Sequence, residues 1–220
     1  MTQKNGYIPD EWLLSYAAGA LGEAHSMIVS THAAYHADVS QKIADAEAIG
    51  GALLAEQPAS TLPDNFFDDV MAKLDDEDTP AVAETKEAKT LDTSIPASLA
   101  EYLGKPLEDM KWRFMGPGLK QCQLWKGENG EKLWLLKAKA GASIPMHDHR
   151  GLELTLILKG SYHVDGKHYT PGLVEVAEAG SEDHQPVIDD AEECICLVVT
   201  EAPIKIHNLL GRMVQPFIGL

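Results

Sequence analysis

The apolar positions of this chain change period once. From residue 10 to residue 76 they recur every three or four residues, the spacing of an amphipathic helix. Beyond residue 104 they alternate or run in short blocks, the spacing of strands. In DEWLLSYAAGALG (10–22), Trp12, Leu13, Tyr16, Ala17, Ala20 and Leu21 form one stripe. Pro9 and Asp10 suit its start and Gly22 its end. Residues 23–56 read as one longer helix, with Met27, Ile28, Tyr35, Val39, Ile43, Ala46, Ile49 and Leu53 on the apolar side. Gly50-Gly51 marks a kink or a close contact there. Residues 62–76 predict a third helix, in which Phe66, Phe67, Val70, Met71 and Leu74 share a face. That face packs on its own domain or receives a partner. Residues 77–92 keep only Val82 and Leu91 as large apolar side chains and read as a linker. A short helix at 96–104 then precedes strands near 111–116, 119–126, 132–139, 160–164, 167–170, 173–177, 185–188 and 193–200. Glycine-rich turns separate them. The expected fold class is α plus all-β in two domains. A small helical bundle spans 1–76, a linker 77–92, and an antiparallel jelly-roll β-barrel 93–220.

One stretch of the second half carries chemistry. GASIPMHDHRGLELTLILKG (141–160) places His147, His149 and Glu153 at odd positions between two glycines. In an extended segment those side chains share a face. Imidazole and carboxylate together suit Zn, Fe, Mn or Ni rather than Ca or Cu(I). His184, in a loop leading into a later strand, is the candidate fourth ligand. His163 and His168 flank the Asp165-Gly166 turn and read as surface residues, and His207 follows the last strand. In the first half, His32 and His36 stand at i and i+4. They can clamp a metal; with no thiol beside them, a place at the edge of the helical core is favoured. Cys194 and Cys196 point to one face of a strand and read as buried thiols.

Charge narrows the partners. The net charge is −16, and residues 1–90 hold 5 Lys and Arg against 16 Asp and Glu. Such a surface repels nucleic acid and steers a basic protein towards the N-terminal third. No apolar run is long enough to span a membrane, and the N-terminal residues lack the apolar core of a secretory signal. A cytoplasmic protein is expected.

These residues resemble a known family. Residues 141–160 look like the first motif of the cupin superfamily, and Gly172 to His184 match the second motif loosely, with Glu178 where proline is usual. DEWLLSYAAGALGEAHSMIVSTHAAYHADVSQKIADAEAIGGALL resembles the zinc-binding helical domain of ChrR-like anti-sigma factors, which precedes a cupin domain in the same order. The resemblance implies sequestration of an alternative sigma factor of the extracytoplasmic-function type by the N-terminal helices. It also implies a metal-binding cupin that senses oxidative stress such as singlet oxygen. The cupin metal, held by His147, His149, Glu153 and His184, is expected to be zinc ahead of Fe, Mn or Ni. A homodimer through the cupin domain is a further expectation.

The family holds its N-terminal zinc through an upstream His and an H-x3-C-x2-C run. Here the run reads His32, His36 and Val39, and the upstream position falls near Ile8. The N-terminal zinc is therefore expected to be absent, with Tyr35 and Val39 serving as core. The competing reading is a metal-dependent cupin enzyme of dioxygenase or isomerase type. No separate base or cluster of substrate-anchoring arginines supports it, and Arg150 lies on the opposite face of the strand from the ligands.

Overall fold

The computed structural model describes residues 6–74, 91–180, 184–203 and 205–206. Most of the expected linker, and His207, lie outside the described residues. The helices are α1 (Asp10–Ala17), α2 (Glu23–Tyr35), α3 (Ala37–Ala55), α4 (Phe66–Leu74) and α5 (Ala97–Leu103). The strands are β1 (Arg113–Gly116), β2 (Leu119–Lys126), β3 (Lys132–Ala138), β4 (His147–Asp148), β5 (Glu153–Lys159) and β6 (Tyr162–Val164). They continue with β7 (Lys167–Tyr169), β8 (Val174–Ala177), β9 (Val187–Ile188), β10 (Cys194–Thr200) and β11 (Lys205–Ile206).

The long helix expected over 23–56 is instead two helices. His36 adopts an extended backbone, φ −133° and ψ 104°, between α2 and α3. Its side chain is held from outside the helix, as described below, and that overrides the continuous apolar stripe. Gly50-Gly51 causes no break, and α3 runs through them. The 141–160 stretch is also not one strand. β4 ends at Asp148 and β5 begins at Glu153, so His147 and His149 share a segment and Glu153 belongs to the next strand.

Six strands form one antiparallel sheet in the order β1-β2-β3-β10-β5-β8. β7-β6-β9 and β11-β4 form smaller sheets. Strand alternation gives the large sheet two apolar faces. Leu133, Leu135, Leu154, Leu156, Leu197 and Val199 join one cluster with Ile8, Leu13, Ile28 and Val29 of the helical unit. Trp134, Leu136, Ile157, Cys194, Cys196 and Val198 join another with Tyr162, Val164, Tyr169 and Ile188 of the small sheet. The first face is covered by helices and the second lines the barrel. This explains the unbroken runs LTLIL and CICLVV, since a strand buried on both faces has no polar side. Two-sided burial also demands glycine at one edge. Gly160 has φ +70°, and a Cβ there would lie 2.5 Å from the Glu193 carbonyl oxygen.

One carbonyl of the barrel receives two hydrogen bonds from the helical unit. His32 Nδ1 and His36 Nε2 each lie 2.8 Å from the Gly172 oxygen. A carbonyl only accepts, so both nitrogens carry the hydrogen and donate. His36 Nδ1 then accepts from the Tyr7 hydroxyl at 3.0 Å. The Val174 amide donates to the Gly6 oxygen at 2.9 Å, seating the N-terminal segment beside β8. Gly172 has φ +89°, and a Cβ there would meet Tyr35 at 2.8 Å. Only glycine allows the backbone to come this close. Val39 is buried, and Tyr35 packs against the same core.

Burial lowers the pKa of His32 to about 4, against the smaller raising effect of the Gly172 hydrogen bond. The folded value lies below the unfolded one, so the neutral form is the one that the fold favours. Its contribution is full above the unfolded pKa and is lost as pH falls towards 4. The stability cost of His32→Asn, measured by urea unfolding of the full chain, should therefore shrink between pH 7 and pH 5. A cost that grows on acidification would contradict this assignment. Gly172→Ala should destabilise by on the order of 1–3 kcal/mol through strain at positive φ and the clash with Tyr35.

Candidate metal centre

The barrel interior narrows at one end to a polar pocket. β4 brings His147, and the turn after it brings His149. A bridge outside the regular strands brings His184 directly opposite His147, with both amides donating across it at 3.1 Å. The three ring centroids lie 4.8, 5.1 and 4.9 Å apart, all edge to face. A ligand nitrogen from each ring falls within 4.8 Å of the other two. All three histidines are buried. His147 Nδ1 lies 2.8 Å from the Pro145 oxygen, so it donates there, and its tautomer is set with Nε2 as the lone-pair nitrogen.

His149 Nε2 is buried without a hydrogen-bond partner. A buried polar atom without a partner is costly. A cation would satisfy it, and in this respect the residues fit a metal. Burial, then the neighbouring imidazoles, hold the pKa of His149 at about 4. Burial and the nearby His147 do the same for His184. Near neutral pH both rings are uncharged, the form that ligates.

Glu153 lines the same pocket but stands apart from the histidine triangle. Its carboxylate accepts from Thr155 and Thr200 at 3.5 Å each. Sequence reasoning passed over a second carboxylate, Glu175 on β8. Its Oε1 lies 3.5 Å from His184 Nε2, and its Oε2 accepts from the Tyr162 hydroxyl at 2.6 Å. The available signal was an acid flanked by valines, in LVEVA, where Val174 faces the helices and Glu175 must face inward. Burial raises Glu153 to about 8, with Glu175 adding repulsion. Glu175 is raised to about 7, mainly by burial.

The cavity among these groups has a volume of about 30 Å³ and is walled by Met115, Trp134, Leu136, Ile144 and Val198. It has room for an ion and a water or two, not for an organic substrate. Below it, the Cys194 and Cys196 sulfurs lie 3.6 Å apart and buried. Hydrogen bonding to Cys194 and burial push the Cys196 thiol well up, so it stays protonated. The other sequence candidates lie elsewhere. His163 and His168 sit on the outer face of the small sheet, and His32 and His36 hold Gly172.

A jelly-roll barrel with an inward histidine cluster, covered on its other sheet face by an N-terminal helical unit, defines a cupin-type architecture. Residues 103–203 match the ChrR cupin-like domain family. The anti-sigma-E factor ChrR of Cereibacter sphaeroides is 37% identical over 212 residues, covering 96% of each chain. A crystal structure of Rhodobacter sphaeroides SigE in complex with the anti-sigma ChrR matches with 35% identity and a TM-score of 0.73. The match covers 89% of this chain and 98% of that one. The chain belongs to the ChrR family of anti-sigma factors, which are regulators and not enzymes.

Loading the pocket with zinc at pH 7 should release protons, because Glu153 is held protonated up to about pH 8 and a cation favours its carboxylate. Calorimetry in two buffers of different ionisation enthalpy measures this, and identical heats in both would refute it. His149→Ala should weaken zinc binding at the pocket on the order of 100-fold or more.

Proposed function

We propose that this chain sequesters a sigma factor through α3 and α4, and that a metal-loaded cupin pocket governs release under oxidative stress such as singlet oxygen. The supporting observation is a continuous run of exposed residues. Every residue from Glu47 to Lys73 is exposed, including Ile49, Leu53, Leu54, Leu62, Phe66, Phe67, Val70 and Met71. Phe67 is 71% and Leu54 73% exposed, values at odds with a packed helix. Contiguous apolar surface of this kind marks an interaction site, and a helix with such a face suits helix-in-groove docking. Asp64, Asp68 and Asp69 flank it, which favours a basic partner such as a DNA-binding sigma factor. Support for that partner comes from the relative crystallised with SigE.

Zinc is the ion we assign to the pocket, held by His147, His149 and His184 with Glu153 completing the set. A closed shell of this kind suits a structural or sensing role better than catalysis. The helical unit works without zinc. Tyr7, His32, His36 and the Gly172 carbonyl form a hydrogen-bonded cluster where the family resemblance implies a thiolate site. Zinc whose retention depends on His32 or His36 would refute this part. The protein acts in the cytoplasm, where its partner resides.

Phe67→Ala should weaken capture of the sigma factor by roughly 10- to 100-fold, as expected for a central aromatic anchor. Its melting temperature should not change, because Phe67 touches no core. Pull-down and calorimetry with the full chain measure both. Capture unaffected by joint substitution of Phe66, Phe67 and Val70 would remove α4 from the interface. Replacing His147 and His149 by Ala should abolish the response to singlet oxygen while leaving capture intact.

A further inference from the structure

A second group of ligand-type side chains lies on the outer surface of the small sheet, away from the pocket and from the apolar face of α4. His163 on β6 and His168 on β7 are direct cross-strand partners. Their neighbours Tyr162 and Tyr169 are also paired, and both are buried in the barrel. Alternation therefore turns the two imidazoles outward together. The Asp165-Gly166 turn, with φ of 51° and 72°, is of the kind that pins a two-residue hairpin in register. Asp189 arrives from the end of β9, which pairs with the other edge of β6. Its amide donates to the Ser161 oxygen at 3.1 Å, and its carboxylate accepts from the Ser161 hydroxyl.

The three side chains converge. His163 Nδ1 lies 2.8 Å from one Asp189 oxygen, and His168 Nε2 lies 2.8 Å from the other. The rings stack at 4.1 Å with an interplanar angle of 4°. All three donor atoms fall within 4.8 Å of one another. We propose that His163, His168 and Asp189 form a second, surface site for a late first-row divalent cation such as zinc.

Two nitrogens and one carboxylate oxygen are a donor set for zinc, nickel or copper rather than magnesium or calcium. Two paired strands present the imidazoles from fixed register positions, and the residue that follows β9 supplies the carboxylate, so little order is imposed on binding. The carboxylate already accepts hydrogen bonds from the Ser161 hydroxyl and from both imidazoles. A carboxylate only accepts, so in this arrangement each facing nitrogen carries its hydrogen. On cation binding that hydrogen is displaced and the far nitrogen of each ring, exposed to water, takes up a proton. The net charge of −16 favours a cation at the surface. The two histidine side chains are 55% and 45% exposed, so water fills the remaining coordination positions and binding is weaker than in the buried pocket. The same contacts also serve a plain hydrogen-bond network, and cation uptake separates the two.

The test uses the full chain, stripped by chelator, with His147 and His149 replaced by Ala to silence the pocket. Equilibrium dialysis against zinc should find one ion per chain. Adding His163→Gln and His168→Gln should remove it, and Asp189→Asn should weaken it at least tenfold. Thermal melting supplies an independent readout. The pocket-silenced chain should melt higher with zinc than with EDTA, and the His163→Gln, His168→Gln chain should show no difference. Absence of zinc uptake by the pocket-silenced chain would overturn the site, as would uptake that survives both histidine substitutions. Because neither readout involves sigma capture, this outcome is independent of the function proposed above.

Discussion

The central strands of the six-stranded sheet are buried on both faces, and most of the molecule follows from that. A sheet with one wet face would carry alternating polar residues and would need no cover. Here β3, β5 and β10 carry apolar side chains on both sides, so each face must be closed. The barrel closes one with its own small sheet. The helices close the other, and one apolar cluster runs from Ile8 and Ile28 through to Leu156 and Leu197. The helical unit is therefore bound to the barrel by a shared core, although the sequence reads as two separate domains.

That arrangement divides the labour among the helices. α1, α2 and the first half of α3 supply the cover. The second half of α3, and α4 as far as Lys73, leave their apolar side chains exposed and available. The barrel contributes a group of histidines and carboxyls set in its apolar interior. Three imidazoles and two carboxyls surround a space of about 30 Å³, and burial favours the uncharged forms of His149, His184, Glu153 and Glu175. Such a space is small for an organic substrate, in keeping with membership of a regulator family. Glu153 and Glu175 share the pocket and cannot both ionise there at low cost without a cation.

Much of the fold was legible because its signals are local. The strand runs, the Asp165-Gly166 turn and the helix at 97–103 all appear in the sequence as period, turn residues or caps. The pairing of His184 with His147 was legible too, as a spacing within a loose motif. What could not be read is set by contacts distant in sequence. The break at His36 depends on a carbonyl 136 residues away. The end of β4 at Asp148 moves Glu153 onto another strand, although its parity placed it beside the histidines. Glu175 was hidden because a carboxylate in a strand normally faces water, and here two-sided burial reverses the direction. Exposure of α4 was left open, since an apolar stripe is the same whether it meets its own core or a partner.

A carbonyl oxygen has two lone pairs, and at Gly172 both are occupied by histidines from one helix junction. No third donor can be added, and neither histidine can be withdrawn without leaving a polar atom short of a partner inside the shared core. The joint between helices and barrel therefore depends on both histidines at once. Gly172 is also only three residues from Glu175 along the chain, so the strand that forms the pocket wall begins at the joint. The last turn before β8 is where the two halves of the molecule must agree on position.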